Sequence, residues 1–217
     1  MTTTTPAPSD AAHRTAHRTA HRTAHRIARR LSDWVDPKNT IVGVSLVIGC
    51  GLHGWKGLGW AVVAIVFAAV LPMTYIVRVA GEAGWAGRHL TERRQRITVL
   101  PVISTSVAVG LALLAATGAP RPLLAMTAAM WATITAIWPV TVLAAYKISV
   151  HAAVAAGSVA MLAQAYDLRW CAGFALVAAV GWARVTVREH TLSQVVTGTA
   201  LGTLVAGAVF GAVLGRV

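Results

Sequence analysis

From Thr40 onward, apolar residues run in long blocks that are interrupted by short polar or glycine-rich breaks. The blocks cover residues 40–55, 58–79, 98–118, 122–145, 150–166, 169–183 and 192–214. The second, third, fourth and seventh are long enough to cross a hydrocarbon core of about 30 Å as helices, while the first, fifth and sixth are shorter. In lipid, a helix satisfies all its own backbone hydrogen bonds, so the pattern predicts an all-α, polytopic transmembrane bundle of six or seven segments. Trp34, Trp55, Trp60, Trp85 and Trp170 flank the blocks, as interfacial aromatics do. Pro72 and Pro101 lie inside blocks, where each can kink a helix without ending it. Gly198 and Gly202 form a GxxxG pair, read as a site of close packing inside the bundle rather than as a dimer face.

Residues 1–39 have a different pattern. Thr, Pro, Ala and Ser lead into four turns of an Ala-His-Arg repeat, with His at 13, 17, 21 and 25 and Arg at 14, 18, 22 and 26. No apolar stretch of the kind a signal peptide carries is present in them. The segment reads as a basic low-complexity arm preceding a transmembrane domain at 40–217. A period of four would stack the histidines along a helix, a spacing that can hold a metal, but the plainer reading is a helix on a lipid surface.

Composition sharpens the class. Of 217 residues, 56% are hydrophobic and only 12% charged, and the mean hydropathy is +0.65. That is about half the charge of an ordinary soluble domain, which excludes a water-soluble globule and a disordered chain. The net charge of +12 lies beside apolar blocks, so an anionic membrane surface or a phosphate-bearing ligand is expected, and no nucleic acid. Cys50 and Cys171 sit within apolar blocks and read as buried apolar residues.

If all seven blocks span, the connections alternate between two sides. The arm and the connections at 80–97, 146–149 and 184–191 then share one side, with 15 of the 19 Lys and Arg. The positive-inside rule puts that side in the cytoplasm, of a bacterial-type plasma membrane. Whether 40–55 spans decides this parity. The same side collects Glu92, Arg93, Arg96, Lys147, Ser149, His151, Arg184 and His190. One cation at a membrane end is ordinarily an anchor, whereas two imidazoles, a hydroxyl and several cations from three separate connections point to a site.

These residues resemble the type 2 phosphatidic acid phosphatase (PAP2) family, related to the vanadium haloperoxidases. Arg184-Val-Thr-Val-Arg-Glu-His190 has the spacing of the family's third motif, Ser-Arg-x5-His-x3-Asp, with Ala183 and Gln194 at the outer positions. Ile148-Ser149-Val150-His151 stands where the family has Pro-Ser-Gly-His. The first motif, Lys-x6-Arg-Pro, is matched only by the cluster Glu92-Arg93-Arg94-Gln95-Arg96, without the proline. The literal Arg121-Pro122 pair falls on the opposite side in this topology, and Lys147 can stand in for the missing lysine. The resemblance covers about residues 85–205.

It implies a PAP2-like core. It also implies a phosphatase acting on a phosphate or diphosphate monoester of a lipid or isoprenoid, with neither metal nor cofactor. His190 would be the nucleophile, His151 the general acid and Gln194 the acceptor that orients His190. Arg184, Lys147, Ser149 and Arg93 or Arg96 would hold the phosphate. A glutamine can fix a histidine tautomer but supplies no negative charge. The substitution therefore leaves open a PAP2-like isoprenoid diphosphate lyase or terpene cyclase, with Trp131, Trp138, Tyr146 and Trp182 as candidate cation-facing rings. A non-catalytic lipid-binding or transport protein is the third reading. The lipid, the oligomeric state and the role of the histidine-arginine repeat do not follow from the sequence.

Overall fold

The computed structural model describes the backbone of residues 8–82 and 93–215; side chains before Thr19, and those of His21 and Arg93, lie outside the description. Every regular element among the described residues is helical. They are α1 (Pro8–Trp34), α2 (Pro37–Ile65), α3 (Leu71–Glu82), α4 (Arg93–Ala116), α5 (Arg121–Leu143), α6 (Val150–Ala165), α7 (Phe174–Thr186), α8 (Leu192–Leu201) and α9 (Gly207–Leu214). Five helical stretches are long and apolar enough to cross a membrane: Pro37–Glu82, Arg94–Ala116, Arg121–Leu143, Leu168–Thr186 and Leu192–Leu214. The chain is an integral membrane protein by that measure, and α6 is a shorter apolar helix.

The first of these stretches is not one rod. Gly54 has φ 57° and ψ −144°, a conformation that is open essentially to glycine alone. A Cβ placed on Gly49 would lie 2.8 Å from the Cβ of Ala61. In a continuous helix those residues would be ~18 Å apart along the axis. The chain therefore doubles back at Gly54, and residues 37–53 and 55–82 are two arms of a helical hairpin. The two blocks read as 40–55 and 58–79 correspond to these arms, with the reversal slightly earlier than the sequence pattern suggests. The second arm passes through a π-helical turn at Val66–Val70, just before Pro72. The wider turn suits a residue whose ring would otherwise crowd the carbonyl four positions back.

Asp36 caps the first arm, its Oδ1 accepting from Lys38 N at 3.0 Å, and Pro37 opens the helix. The arm read as low-complexity is helical from Pro8, and its C-terminal part packs against α7. Ala28 and Ser32 are buried there.

α6 is the centre of the bundle: 11 of its 16 residues are buried, mostly alanine and glycine, so it needs no lipid-facing stripe. The GxxxG pair lies on it. A Cβ on Gly198 would strike the Ser149 carbonyl, and one on Gly202 the backbone of Ala153. The pair is an internal seam, where missing side chains let two backbones approach without a hydrophobic drive from water. Polar side chains such as Thr127, Thr133 and Thr141 bond to carbonyls four residues back on their own helix. Cys50 is half-buried and Cys171 exposed, which corrects the expectation that both are buried. Cys171 lies in the 3₁₀ turn Leu168–Gly173, which has no buried residue.

Candidate active site

The R-x5-H spacing has a local structural cause. α7 ends in a Schellman motif: Arg188 N donates to the Val185 carbonyl and Glu189 N to the Arg184 carbonyl, at 3.0 and 3.2 Å. The motif needs a left-handed residue, and Arg188 fills that position with φ 58°. Three residues later Thr191 caps α8 in a capping box with Gln194. Arg184 therefore sits in the last turn of α7 and His190 just ahead of α8, both turned to the same interior.

The capping box also fixes the chemistry of His190. Gln194 Oε1 accepts from the backbone N–H of Thr191 at 3.2 Å and lies 3.0 Å from His190 Nδ1. A backbone N–H only donates, so the atom it meets is the amide oxygen, and Nδ1 of His190 must carry a proton. The lone pair of the neutral ring is then on Nε2. Burial, reinforced by Arg96, Lys147 and Arg184, lowers the pKa of His190 to about 3, against a small opposing pull from Gln194. The ring is neutral at pH 7.

The other residues converge from three directions. Ser149 caps α6, accepting from Ala152 N, and its own N–H donates to the Gln194 carbonyl at 3.2 Å. His151, in the first turn of α6, is thereby held to the start of α8. Arg96, 5% exposed, donates from Nη1 to the Ile148 carbonyl at 2.6 Å and anchors the 144–149 connection. Lys147 Nζ donates to the Glu189 carbonyl at 2.9 Å, and burial together with Arg96 lowers its pKa. Arg184, 3% exposed, donates from Nη1 to Ser32 Oγ at 2.7 Å and from Nη2 to the Glu189 carboxylate. Its Nε is buried and meets no acceptor among the described residues.

His190, His151, Arg184, Lys147 and Arg96 all line one cavity of about 180 Å³. Of the residues expected from sequence, these five are brought together, and Gln194 supports the first of them. Ser149 is fully buried as a helix cap and is not among the cavity-lining residues, so the structure gives it a positioning role instead of contact with an anion. The side chain of Arg93 lies outside the described residues, as do Glu92 and Trp85. Arg121 is exposed at the far end of α5, ~35 Å along that helix from the site. The four candidate rings do not line the cavity: Trp131, Trp138 and Trp182 are 39%, 39% and 46% exposed, and the Tyr146 hydroxyl lies 3.4 Å from Thr197 Oγ1.

Three participants escape a reading of the sequence. Ser32 and Asp36 belong to the arm, yet Ser32 holds Arg184, and Asp36 lines the cavity beside Lys38. Glu189 also lines the cavity, its carboxylate on Arg184. An acid directly before the histidine of R-x5-H is the one sequence signal for any of them. No group of three potential metal ligands occurs among the described residues, which leave out the side chains of His13, His17 and His21. No family model, no curated protein and no solved structure matches this chain.

Proposed function

We propose that this chain is a PAP2-like membrane phosphatase that hydrolyses a phosphate or diphosphate monoester of a lipid or isoprenoid through a phosphohistidine at His190. The observation that carries the reading is the shared cavity: a neutral imidazole with its Nε2 lone pair available, a second imidazole and three cations from three separate connections.

Phosphoryl transfer needs positive charge around the equatorial oxygens, an in-line nucleophile and a proton for the leaving oxygen. Arg184, Arg96 and Lys147 supply the charge. Nε2 of His190 attacks phosphorus as the bond to the lipid oxygen breaks, and His151 gives that oxygen a proton. Water then attacks the phosphohistidine, with His151 taking a proton from it, and phosphate leaves. A phosphate dianion offsets much of the cationic field that, after burial, depresses the basicity of His190 in the resting site. The nucleophile thus regains part of its basicity when the substrate arrives. Gln194 holds the ring but adds no charge, which favours a slower enzyme than one with a carboxylate there.

The bundle end that bears the site also carries most of the Lys and Arg, which favours a cytoplasmic mouth. Labelling a cysteine at exposed position 188 from outside intact cells would reverse that assignment. For the activity, purified protein is incubated with prenyl diphosphates and phosphatidate. Release of phosphate, with trapping of acid-labile phosphate on the wild type and none on His190→Ala, supports the reading. Diphosphate release with hydrocarbon product, or no turnover, ends it.

A further inference from the structure

The cavity continues far past the charged groups. On α6 it is bordered by His151, Val154, Ser158 and Met161, and on α4 by Arg96, Leu100, Ile103 and Val107. Both sets recur every three or four residues, so one face of each helix follows the cavity inward for ~15 Å. The cations and both imidazoles stand only at the outer end of these faces. Below them the walls are almost entirely aliphatic. Both arms of the first hairpin and α5 complete the enclosure, through Met73, Ala69, Ile41 and Ile134. At the inner end Met161 belongs to the packed cluster of Ile48, Met126 and Phe210, which closes the floor.

A cavity of about 180 Å³ spread over that depth is a narrow slot, a shape that suits one alkyl chain lying along it. An extended chain advances ~1.3 Å per carbon along its zig-zag of ~1.5 Å bonds, so the depth corresponds to about a dozen carbons. We propose, building on the phosphatase reading, that the substrate is a single-chain lipid phosphate whose tail enters the bundle end-on, and that the floor at Met161 limits its length to about a dozen carbons. The charge at the mouth and the apolar walls beneath it match the two halves of such a molecule. A two-chain phosphatidate would have to leave one tail outside the enclosure.

The test uses non-hydrolysable n-alkyl phosphonates with 4, 12 and 18 carbons and a two-chain phosphonate, at equal mole fractions in detergent micelles holding the full chain. The expected result is that the 12-carbon ligand binds at least tenfold more tightly than the 18-carbon and two-chain ligands. Ile103→Trp, ~10 Å in from Arg96 along α4, should weaken the 12-carbon ligand tenfold or more and leave the 4-carbon ligand within twofold. Ser158→Phe fills the same depth from the facing wall and should act alike if the first variant folds poorly. Equal affinity for all four ligands, or equal weakening of short and long ligands in a folded variant, overturns the inference. Phosphate release is read separately: a length limit without turnover sinks only the phosphatase reading, and turnover without a length limit sinks only this one.

Discussion

The two ends of the bundle treat charge in opposite ways. At the end formed by the Gly54 reversal and the turns before α5 and α7, charged groups are exposed, and the ion pair found there is local. Arg169, its side chain 92% exposed, meets Asp167 two residues away, and Lys56 is exposed. Beneath them Ile48, Leu114, Leu123, Met126 and Phe210 pack without solvent exposure. At the other end Arg94 and Arg188 are exposed too, but the cations that line the cavity are buried or half-buried and bond across the fold, Arg96 to residue 148, Lys147 to residue 189 and Arg184 to residue 32. Burying a cation is costly unless partners compensate, whereas an exposed local pair contributes little. Long-range bonding of buried charge marks a built site, and short-range pairing marks anchorage.

Substitutions break or sharpen that contrast. The largest effect belongs to His190→Ala, which should lower phosphate release by about 10⁴-fold or more, while Arg169→Ala at the other end stays within twofold. Equal losses would mean that the ends do not differ. Next, Gln194→Leu removes the tautomer lock and should cost about 10²- to 10⁴-fold in kcat, whereas Gln194→Asp should exceed the wild-type rate. A smaller change is expected for Glu189→Gln. It removes the negative charge that Arg184 Nη2 pairs with, so inhibition by orthovanadate should tighten by about three- to tenfold.

The pH behaviour of His190 separates the ends further. Its pKa falls from 6.5 to about 3 on folding, because burial and three cations disfavour the charged ring. The unfolded chain therefore takes up this proton as pH drops through 6.5 while the folded chain does not, and stability is lost between pH 6.5 and 3. ¹⁵N spectra should show a neutral ring protonated at Nδ1 at pH 5. A doubly protonated ring at pH 5 would contradict the geometry. The smallest effect is on stability alone: Arg188→Gly, at the left-handed position, should stabilise the fold by about 0.5–1 kcal/mol, read as a rise in Tm.

Much of the frame is legible in the sequence because lipid permits so few solutions. Apolar block length marks the helical arms, and the spacing of Arg184, His190, His151 and Lys147 points to the residues that line one cavity. What stays hidden depends on contacts between distant segments. Ser32 reaches Arg184 across 152 positions, and no periodicity in the arm signals it. Asp36 and Lys38 read as the end of a polar arm, because a cap and a cavity wall look alike until α7 lies beside them. Ser149 was expected at the phosphate because of its motif, but a serine immediately before a helix serves equally well as its cap, and packing against Gly198 leaves it no opening. The outward turn of Trp131, Trp138 and Trp182 was equally unreadable, since hydropathy does not say which face of an apolar helix meets lipid.

The reversal at Gly54 has an effect that reaches every later residue. As one rod, 37–82 would measure ~69 Å, more than twice the thickness of a bilayer core. Folded in two, it brings the polypeptide back toward the end of the bundle where Pro37 begins, so a single dihedral pair decides at which end of the bundle the next helix starts. Straightening that one glycine would carry the second arm, and with it Ala69, Pro72, Met73 and Ile76, away from the cavity that they line.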